Sequence, residues 1–361
     1  MSKITVIGAG KTGRGFIGRL IKESNLPFAF IDKDENLVKE LKNGSFKVSF
    51  FGNVREPMTV DNYKITTWED ADFSDTELIF VSVCGGNLSD VGKELAQRLE
   101  KDKTYYIITC ENYTNPAGKL KEAIGMDNVY VSEATVFCTT IEAEDIDISS
   151  ENYPYLQCNA DLLGGYIPEV KAVKPVEEFG NFLTRKLFTY NAASCIIAYL
   201  GWLDGYTDYA EAANDEKILA LLDKNYEITN RVLCKEFGYE EKDQAEFALL
   251  SRNKFTDRTI SDTVARNARE PQRKLGSKER IIGPMTVIDK YDEDTSVLVK
   301  TAAAMLLYDN DGEDEWRKIK SENTPGEILE SICGLEKKSR LYESILKAYD
   351  EILKEQKNAD S

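Results

Sequence analysis

Lys3 to Lys22 reads KITVIGAGKTGRGFIGRLIK, and the architecture of the first half of the chain turns on it. Lys3 to Ile7 is apolar and partly β-branched, as a buried strand requires, and from Phe16 to Lys22 the apolar residues return at helical spacing. Between them lies Gly8-Ala9-Gly10-Lys11-Thr12-Gly13-Arg14-Gly15. In this strand, turn, helix context a G-x-G-x-x-G has a physical reading. Gly8 permits the tight turn, Gly10 lets backbone approach a pyrophosphate, and Gly13 lets the helix pack on the strand. The helix N-terminus supplies oriented N–H groups at the same place, so Lys11, Thr12 and Arg14 of the glycine segment are expected, with Gly8, Gly10 and Gly13, to bind the cofactor.

The next strand, Pro27 to Ile31, ends in Asp32, 22 residues past Gly10. A carboxylate there accepts from the adenosine ribose hydroxyls and repels a 2′-phosphate, so NAD is expected as cofactor in preference to NADP. Lys33 beside it opposes that preference, and the plainer reading of Asp32 is a helix-start residue ahead of Glu35 to Lys42. Phe46 to Thr67 alternates around Gly52 and Pro57, which predicts antiparallel strands inserted into the α/β pattern. The parallel repeat resumes with Glu77 to Val83, ending Cys84-Gly85-Gly86-Asn87, and with Tyr105 to Cys110, ending Glu111-Asn112. Ligands of open parallel sheets bind at the carboxyl ends of strands, so Gly85, Gly86 and Asn112 are expected beside the nicotinamide half of the cofactor. Asn112 reads equally well as a turn residue before Asn115-Pro116. Val129 to Ser132 is one more strand, and Glu142 to Asp147 an acidic solvated loop.

Across Pro168 to Pro175 alternation gives way to helical periodicity, which then runs through Glu178 to Leu203, Ala210 to Phe237, Asp243 to Ser251, Val297 to Tyr308 and Ser339 to Gln356. The expected fold class is an α/β Rossmann domain, a mostly parallel doubly wound sheet with inserted antiparallel strands, over residues 1–175. An all-α C-terminal domain over 176–361 follows, holding the substrate and catalytic groups.

Composition narrows the chemistry. At 361 residues and 42% hydrophobic the chain fills two cores. A net charge of −17 argues against nucleic acid or an anionic membrane as partner, and no run of 18 apolar residues occurs. Seven scattered cysteines form no C-x-x-C pair, which suits a reducing compartment, so a cytoplasmic protein without zinc is expected. The chain has no histidine. Ser-His-Asp, Cys-His and His-ligated metal chemistries are therefore excluded, and acid–base work falls to Lys, Asp, Glu, Tyr or Cys.

Within the helical half, Arg185 to Cys195 reads RKLFTYNAASC. On a regular helix Lys186, Tyr190, Ser194 and Asn191 fall at about 0°, 40°, 80° and 140°, a polar stripe with apolar flanks; the plainer alternative is an ordinary amphipathic helix. Arg252 to Arg280 holds nine basic residues against four acidic ones in an otherwise acidic chain. Arg269, Arg273 and Lys274 flank Pro271 there, and fork-shaped donors beside a fixed turn suit a phosphate or carboxylate, against the alternative of a solvated charged face. The expected partner is a small anionic sugar substrate; the oligomeric state stays open.

Taken together, GAGKTGRGFIG at Gly8 to Gly18, Cys110-Glu111-Asn112, RKLFTYN at Arg185 to Asn191, AYLG at Ala198 to Gly201, DEKI at Asp215 to Ile218 and REPQRKLGSKERIIGP at Arg269 to Pro284 resemble the long-chain polyol dehydrogenases over essentially the whole chain. The resemblance implies metal-independent, NAD-linked catalysis between a Rossmann and a helical domain. In that family a K-x-x-x-x-N-x-x-H pattern supplies the acid–base lysine, the alkoxide-binding asparagine and an orienting histidine. Lys186 and Asn191 match, while Ser194 stands at the histidine position. Phe137-Cys138 stands where the family carries Asp-Arg, and Asp257-Arg258 where it carries Asn-Pro. The implied activity is a sugar-alcohol phosphate dehydrogenase, with two alternatives: a uronate reductase, or a catalytically silent NAD-binding homologue.

Overall fold

The computed structural model describes residues 3–111 and 113–359. These divide into two compact units, the first ending at Phe182 and the second beginning at Leu183. The division falls inside the helix Phe179–Lys186, beyond the expected boundary at 175.

Twelve strands form in the first unit: β1 (Ile4–Ile7), β2 (Phe28–Ile31), β3 (Phe46–Phe50), β4 (Met58–Val60), β5 (Tyr63–Thr66), β6 (Leu78–Val81), β7 (Tyr105–Thr109), β8 (Val129–Thr135), β9 (Thr140–Glu142), β10 (Ile148–Ser150), β11 (Leu156–Asn159) and β12 (Val173–Val176). Eight of them build one sheet in the order β12-β11-β8-β7-β6-β1-β2-β5. From β8 to β5 every pairing is parallel, and β11 turns antiparallel against β8. The parallel strands are buried on both faces, which is why ITVI in β1 and LIFV in β6 are unbroken apolar runs. Chain order reverses between β1 and β6, and that reversal opens a crevice at their carboxyl ends.

One inserted segment departs from expectation. Tyr63–Thr66 pairs in parallel with β2, placing Ile65 opposite Phe30, and is thus the outer strand of the main sheet rather than part of an insertion. Only Phe46–Val60 leaves, as the antiparallel pair β3 and β4 of a separate four-stranded sheet completed by β10 and β9. The acidic Glu142 to Asp147 loop joins β9 to β10, and Asp147 Oδ1 accepts from Lys47 N at 2.7 Å.

The second unit is helical. Its longer helices are Ala192–Leu203, Glu216–Phe237, Glu241–Thr256, Ser296–Leu307 and Arg340–Ala359. The expected helix from Ala210 splits at Asn214, because Asp215 caps a new helix by accepting from the amides of Lys217 and Ile218. Ile282–Lys290, Asp314–Glu322 and Pro325–Ser331 are helices the periodicity did not reveal; their apolar residues reach the same core, where Met285, Trp316 and Leu329 are fully buried with Ile197, Leu222 and Met305. Among the described residues no helix is long and apolar enough to cross a membrane.

Candidate functional site

In the first unit the glycine turn is built by contact. Gly8 has φ +96°, and a Cβ there would lie 2.1 Å from the Ser82 carbonyl oxygen; a Cβ on Gly13 would lie 2.0 Å from the Gly8 oxygen. Only hydrogen fits at either place. A Cβ on Gly10 would meet nothing within 4 Å, so this is where the loop stays open for a ligand to approach the backbone.

The opening leads into a cavity of about 650 Å³ at the strand-order reversal. Gly8, Gly10, Lys11 and Thr12 form one wall, Asp32 and Trp68 a second, and Cys84, Asn87 and Glu111 a third. The Asp32 carboxylate is fixed by backbone, accepting from Ala9 N at 2.6 Å through Oδ2 and from Asp34 N at 3.0 Å through Oδ1. The helix-start role went to Asp34, whose side chain accepts from Asn36 and Leu37. The helix opening at Lys11 leaves first-turn amides without intrahelical acceptors beside this space.

Two expected cofactor residues lie elsewhere. Arg14 is buried, and its guanidinium donates to the Ala9 carbonyl while its amide bonds Gly10 O at 2.9 Å, so it braces the turn from behind. Burial lowers its pKa, partly offset by Glu142 and Asp32. Gly85 sits against the Tyr113 ring, off the cavity wall. Asn112 lies outside the described residues. Glu111, noticed in the sequence only as part of a motif, lines the cavity: its Oε1 accepts from Val83 N at 2.5 Å, and desolvation pushes its pKa up to about 7.

In the second unit the RKLFTYN segment is not a regular helix. Leu187–Asn191 forms a π turn between two α-helical stretches, closed by a five-residue bond from Ala192 N to Leu187 O. A π turn inserts one residue, so positions beyond it act as if one place nearer. Asn191, five after Lys186, takes the place of i+4, and Ser194, eight after, that of i+7. Both therefore share the lysine's face. Tyr190, by contrast, is buried, with its ring against Phe247 and Phe255 at 5.1 and 6.2 Å between centroids, and so leaves the polar stripe.

Desolvation lowers the Lys186 pKa from 10.5 to about 8, with Lys254 and Arg280 contributing repulsion. Arg185, its sequence neighbour, is engaged elsewhere: it pairs with Asp243 at 2.7 Å, donates to Gln244 Oε1 at 2.7 Å, and packs over Tyr239 and Phe247. Of the basic block, Lys274 is buried, its Nζ donating to the Asn267 carbonyl at 2.6 Å, and burial lowers its pKa with Arg280 and Arg273 adding to the shift. Arg273 is exposed and paired with Glu270 at 2.7 Å. Arg269 is exposed, its Nε donating to Arg266 O at 3.2 Å. The cations that act on the lysine are thus Lys254 and Arg280, which sequence reasoning left unassigned inside a longer charge run.

Ser194 is half-buried, and its hydroxyl donates to Asn267 Oδ1 at 3.3 Å. Phe137 stacks on Tyr153 at 5.1 Å, and Cys138 Sγ lies 3.3 Å from Ser150 Oγ, so apolar packing fills the place of the family's Asp-Arg pair.

A sheet ordered this way, opened by a glycine turn over a cavity and followed by an all-helical unit, defines a Rossmann-type dinucleotide-binding protein with a second, all-α domain. Residues 178–353 match the mannitol dehydrogenase C-terminal domain, and residues 4–158 the ketopantoate reductase PanE/ApbA model. The mannitol-1-phosphate 5-dehydrogenase of Bacillus pumilus (strain SAFR-032) is 29% identical, covering 94% of this chain and 97% of its own. That of Caldanaerobacter subterraneus subsp. tengcongensis is 27% identical over 98% and 99%. Among solved structures a D-sorbitol dehydrogenase superposes with TM-score 0.72 at 13% identity, covering 98% of this chain and 93% of its own. A Pseudomonas fluorescens mannitol 2-dehydrogenase, solved with NAD and D-mannitol, gives 0.62 at 12%, covering 97% and 92%. The helical half of the chain thus carries a mannitol dehydrogenase C-terminal domain, and nearly its whole length is similar to mannitol-1-phosphate 5-dehydrogenases.

Proposed function

We propose that the protein is a NAD-dependent oxidoreductase interconverting mannitol 1-phosphate and fructose 6-phosphate. The observation that carries this reading is the π turn, which sets a lysine of depressed pKa in line with Asn191 and Ser194. The curated relatives, which align nearly end to end, supply the substrate.

The first unit fits a dinucleotide by its own contacts: Gly8 and Gly13 shape a turn that admits no Cβ, Gly10 is open, and Asp32 stands at the wall where ribose hydroxyls would be read. Gly10, Lys11 and Thr12 would hold the pyrophosphate, and NAD when bound supplies the hydride exchange. In oxidation, neutral Lys186 takes the alcohol proton at Nζ, and the Asn191 amide donates to the oxygen as negative charge develops. In reduction the Lys186 ammonium returns the proton to the carbonyl oxygen. Lys254, Arg280 and Lys274 gather positive charge on the same unit, suited to a phosphate dianion, and Arg273 and Arg269 serve as outer contacts. The test is a panel of polyol phosphates, free polyols and uronates with NAD and NADP, followed by NADH absorbance. Mannitol 1-phosphate with NAD should give the highest kcat/KM; turnover of a uronate instead would move the anion site from phosphate to carboxylate.

A further inference from the structure

The family pattern has a histidine where this chain has Ser194, and the hydrogen bonds around that serine show what its hydroxyl is committed to. Its proton points at Asn267 Oδ1. The Asn267 amide cannot turn its nitrogen toward the serine without losing a second bond, because Nδ2 donates to Thr263 O at 3.1 Å. The main-chain carbonyl of the same residue accepts from Lys274 Nζ at 2.6 Å. Asn267 is therefore a junction, its side chain holding the helix of Lys186 and Ser194 and its backbone holding a buried cation of the basic block. Tyr209, itself buried, holds its hydroxyl against that of Ser194 and closes that side of the serine.

We propose that Asn267 is a positioning residue that turns Ser194 into a hydrogen-bond acceptor for a substrate hydroxyl. With its proton given to Asn267, the serine oxygen has only lone pairs to offer on its open side, so it selects an O–H donor there. A polyol presents such donors at every carbon. This rests on the reading of Lys186, Asn191 and Ser194 as the catalytic face. Sequence reasoning passed over Asn267 because it lies in a charge run 73 residues from its partner.

The experiment is a double-mutant cycle on the whole protein with the best phosphate substrate of the panel. Ser194→Ala and Asn267→Ala are each expected to raise KM by roughly three- to tenfold, the range of one hydrogen bond, with kcat and its alkaline limb little changed. The double variant should be no worse than Ser194→Ala, because Asn267 acts only through the serine. Asn267→Asp keeps an acceptor for the serine and should restore KM to within about twofold. Lys274 keeps its backbone acceptor in each variant, so the anion site is unperturbed. Far-ultraviolet circular dichroism and the melting transition of the whole protein report whether each variant is folded, and if Asn267→Ala is not, the comparison of Asn267→Asp with Asn267→Leu decides. Additive losses in the double variant, unchanged KM in Asn267→Ala, or no rescue by aspartate overturns the proposal while leaving the activity assigned. A wild-type protein that turns over no member of the panel overturns the functional reading, and the proposal with it.

Discussion

Replacing Lys186 by methionine should make the protein more stable and nearly inactive at once. The lysine pKa falls from 10.5 to about 8 because the folded chain withholds water from its ammonium and sets Lys254 and Arg280 near it. At about 1.4 kcal/mol per pKa unit, charging this group costs the fold up to about 3.5 kcal/mol. Below pH 8 folded and unfolded chains both carry the proton, so the penalty is present in full; between about 8 and 10.5 the folded chain sheds it first, and stability recovers as pH rises. Methionine fills the same space without charge, so urea unfolding at pH 7 should show Lys186→Met as the more stable protein by roughly 1 to 3 kcal/mol, with the gap closing toward pH 10. Turnover should fall about 10²- to 10⁴-fold while NAD affinity holds, since the glycine turn is on the other unit. In wild type, kcat/KM for alcohol oxidation should rise through pH 8, where neutral lysine appears, and that for ketone reduction should decline there. At pH 7 the depressed pKa already yields roughly 300-fold more neutral lysine than a pKa of 10.5 would. A phosphate held by Lys254 and Arg280 masks their repulsion, so the limb in kcat should lie at higher pH than the limb in kcat/KM. A methionine variant that unfolds more easily at pH 7, or that keeps the alkaline limb, would refute the desolvated-lysine argument.

The glycine turn offers a paired test: Gly10→Ala, whose Cβ enters open space, should fold normally and lose NAD affinity at least tenfold by calorimetry, whereas Gly13→Ala, forced 2.0 Å from the Gly8 oxygen, should lose the first unit's circular dichroism and melting transition. Wild type should bind NAD tighter than NADP, and Asp32→Gly should narrow that ratio; equal binding in wild type would hand the ribose end to Lys33. Arg280→Gln and Lys274→Met should each reduce kcat/KM for the phosphate substrate by roughly ten- to hundredfold. Arg273→Ala, already paired with Glu270 and exposed, should fall less than tenfold, and a reversed ranking would return the site to the outer arginines.

The Rossmann half was readable because its rules are local. An apolar strand, a glycine turn and a carboxylate at the next strand end are all fixed by what adjoins them in sequence, and β1, β2, β6 and β7 follow. Tyr63–Thr66 was misread because its neighbour in space is β2, and an alternating strand carries no sign of whether its partner runs parallel. Arg14 was misplaced for a related reason: a basic residue in a phosphate loop invites a ligand role, but its buried guanidinium is committed to a backbone acceptor, Ala9 O.

The helix of Lys186 shows a different limit. On a regular 3.6-residue period, Lys186 and Asn191 stand about 140° apart and Tyr190 lies between lysine and serine, an arrangement that puts the wrong side chain in the site. One inserted residue, the π turn at Leu187–Asn191, rotates Tyr190 into the aromatic core and brings Asn191 and Ser194 beneath the lysine. Helical periodicity averages over a window and so cannot register a single extra residue. The spacing itself could have. A donor five residues from its base shares no face of a regular helix, so for a K-x-x-x-x-N pair to act on one oxygen, the helix between them must be overfull by one. The dinucleotide-binding helix carries the same device at Gly13–Gly18, immediately behind its glycine turn. In each unit, the helix departs from its regular period in the segment that carries that unit's own candidate residues.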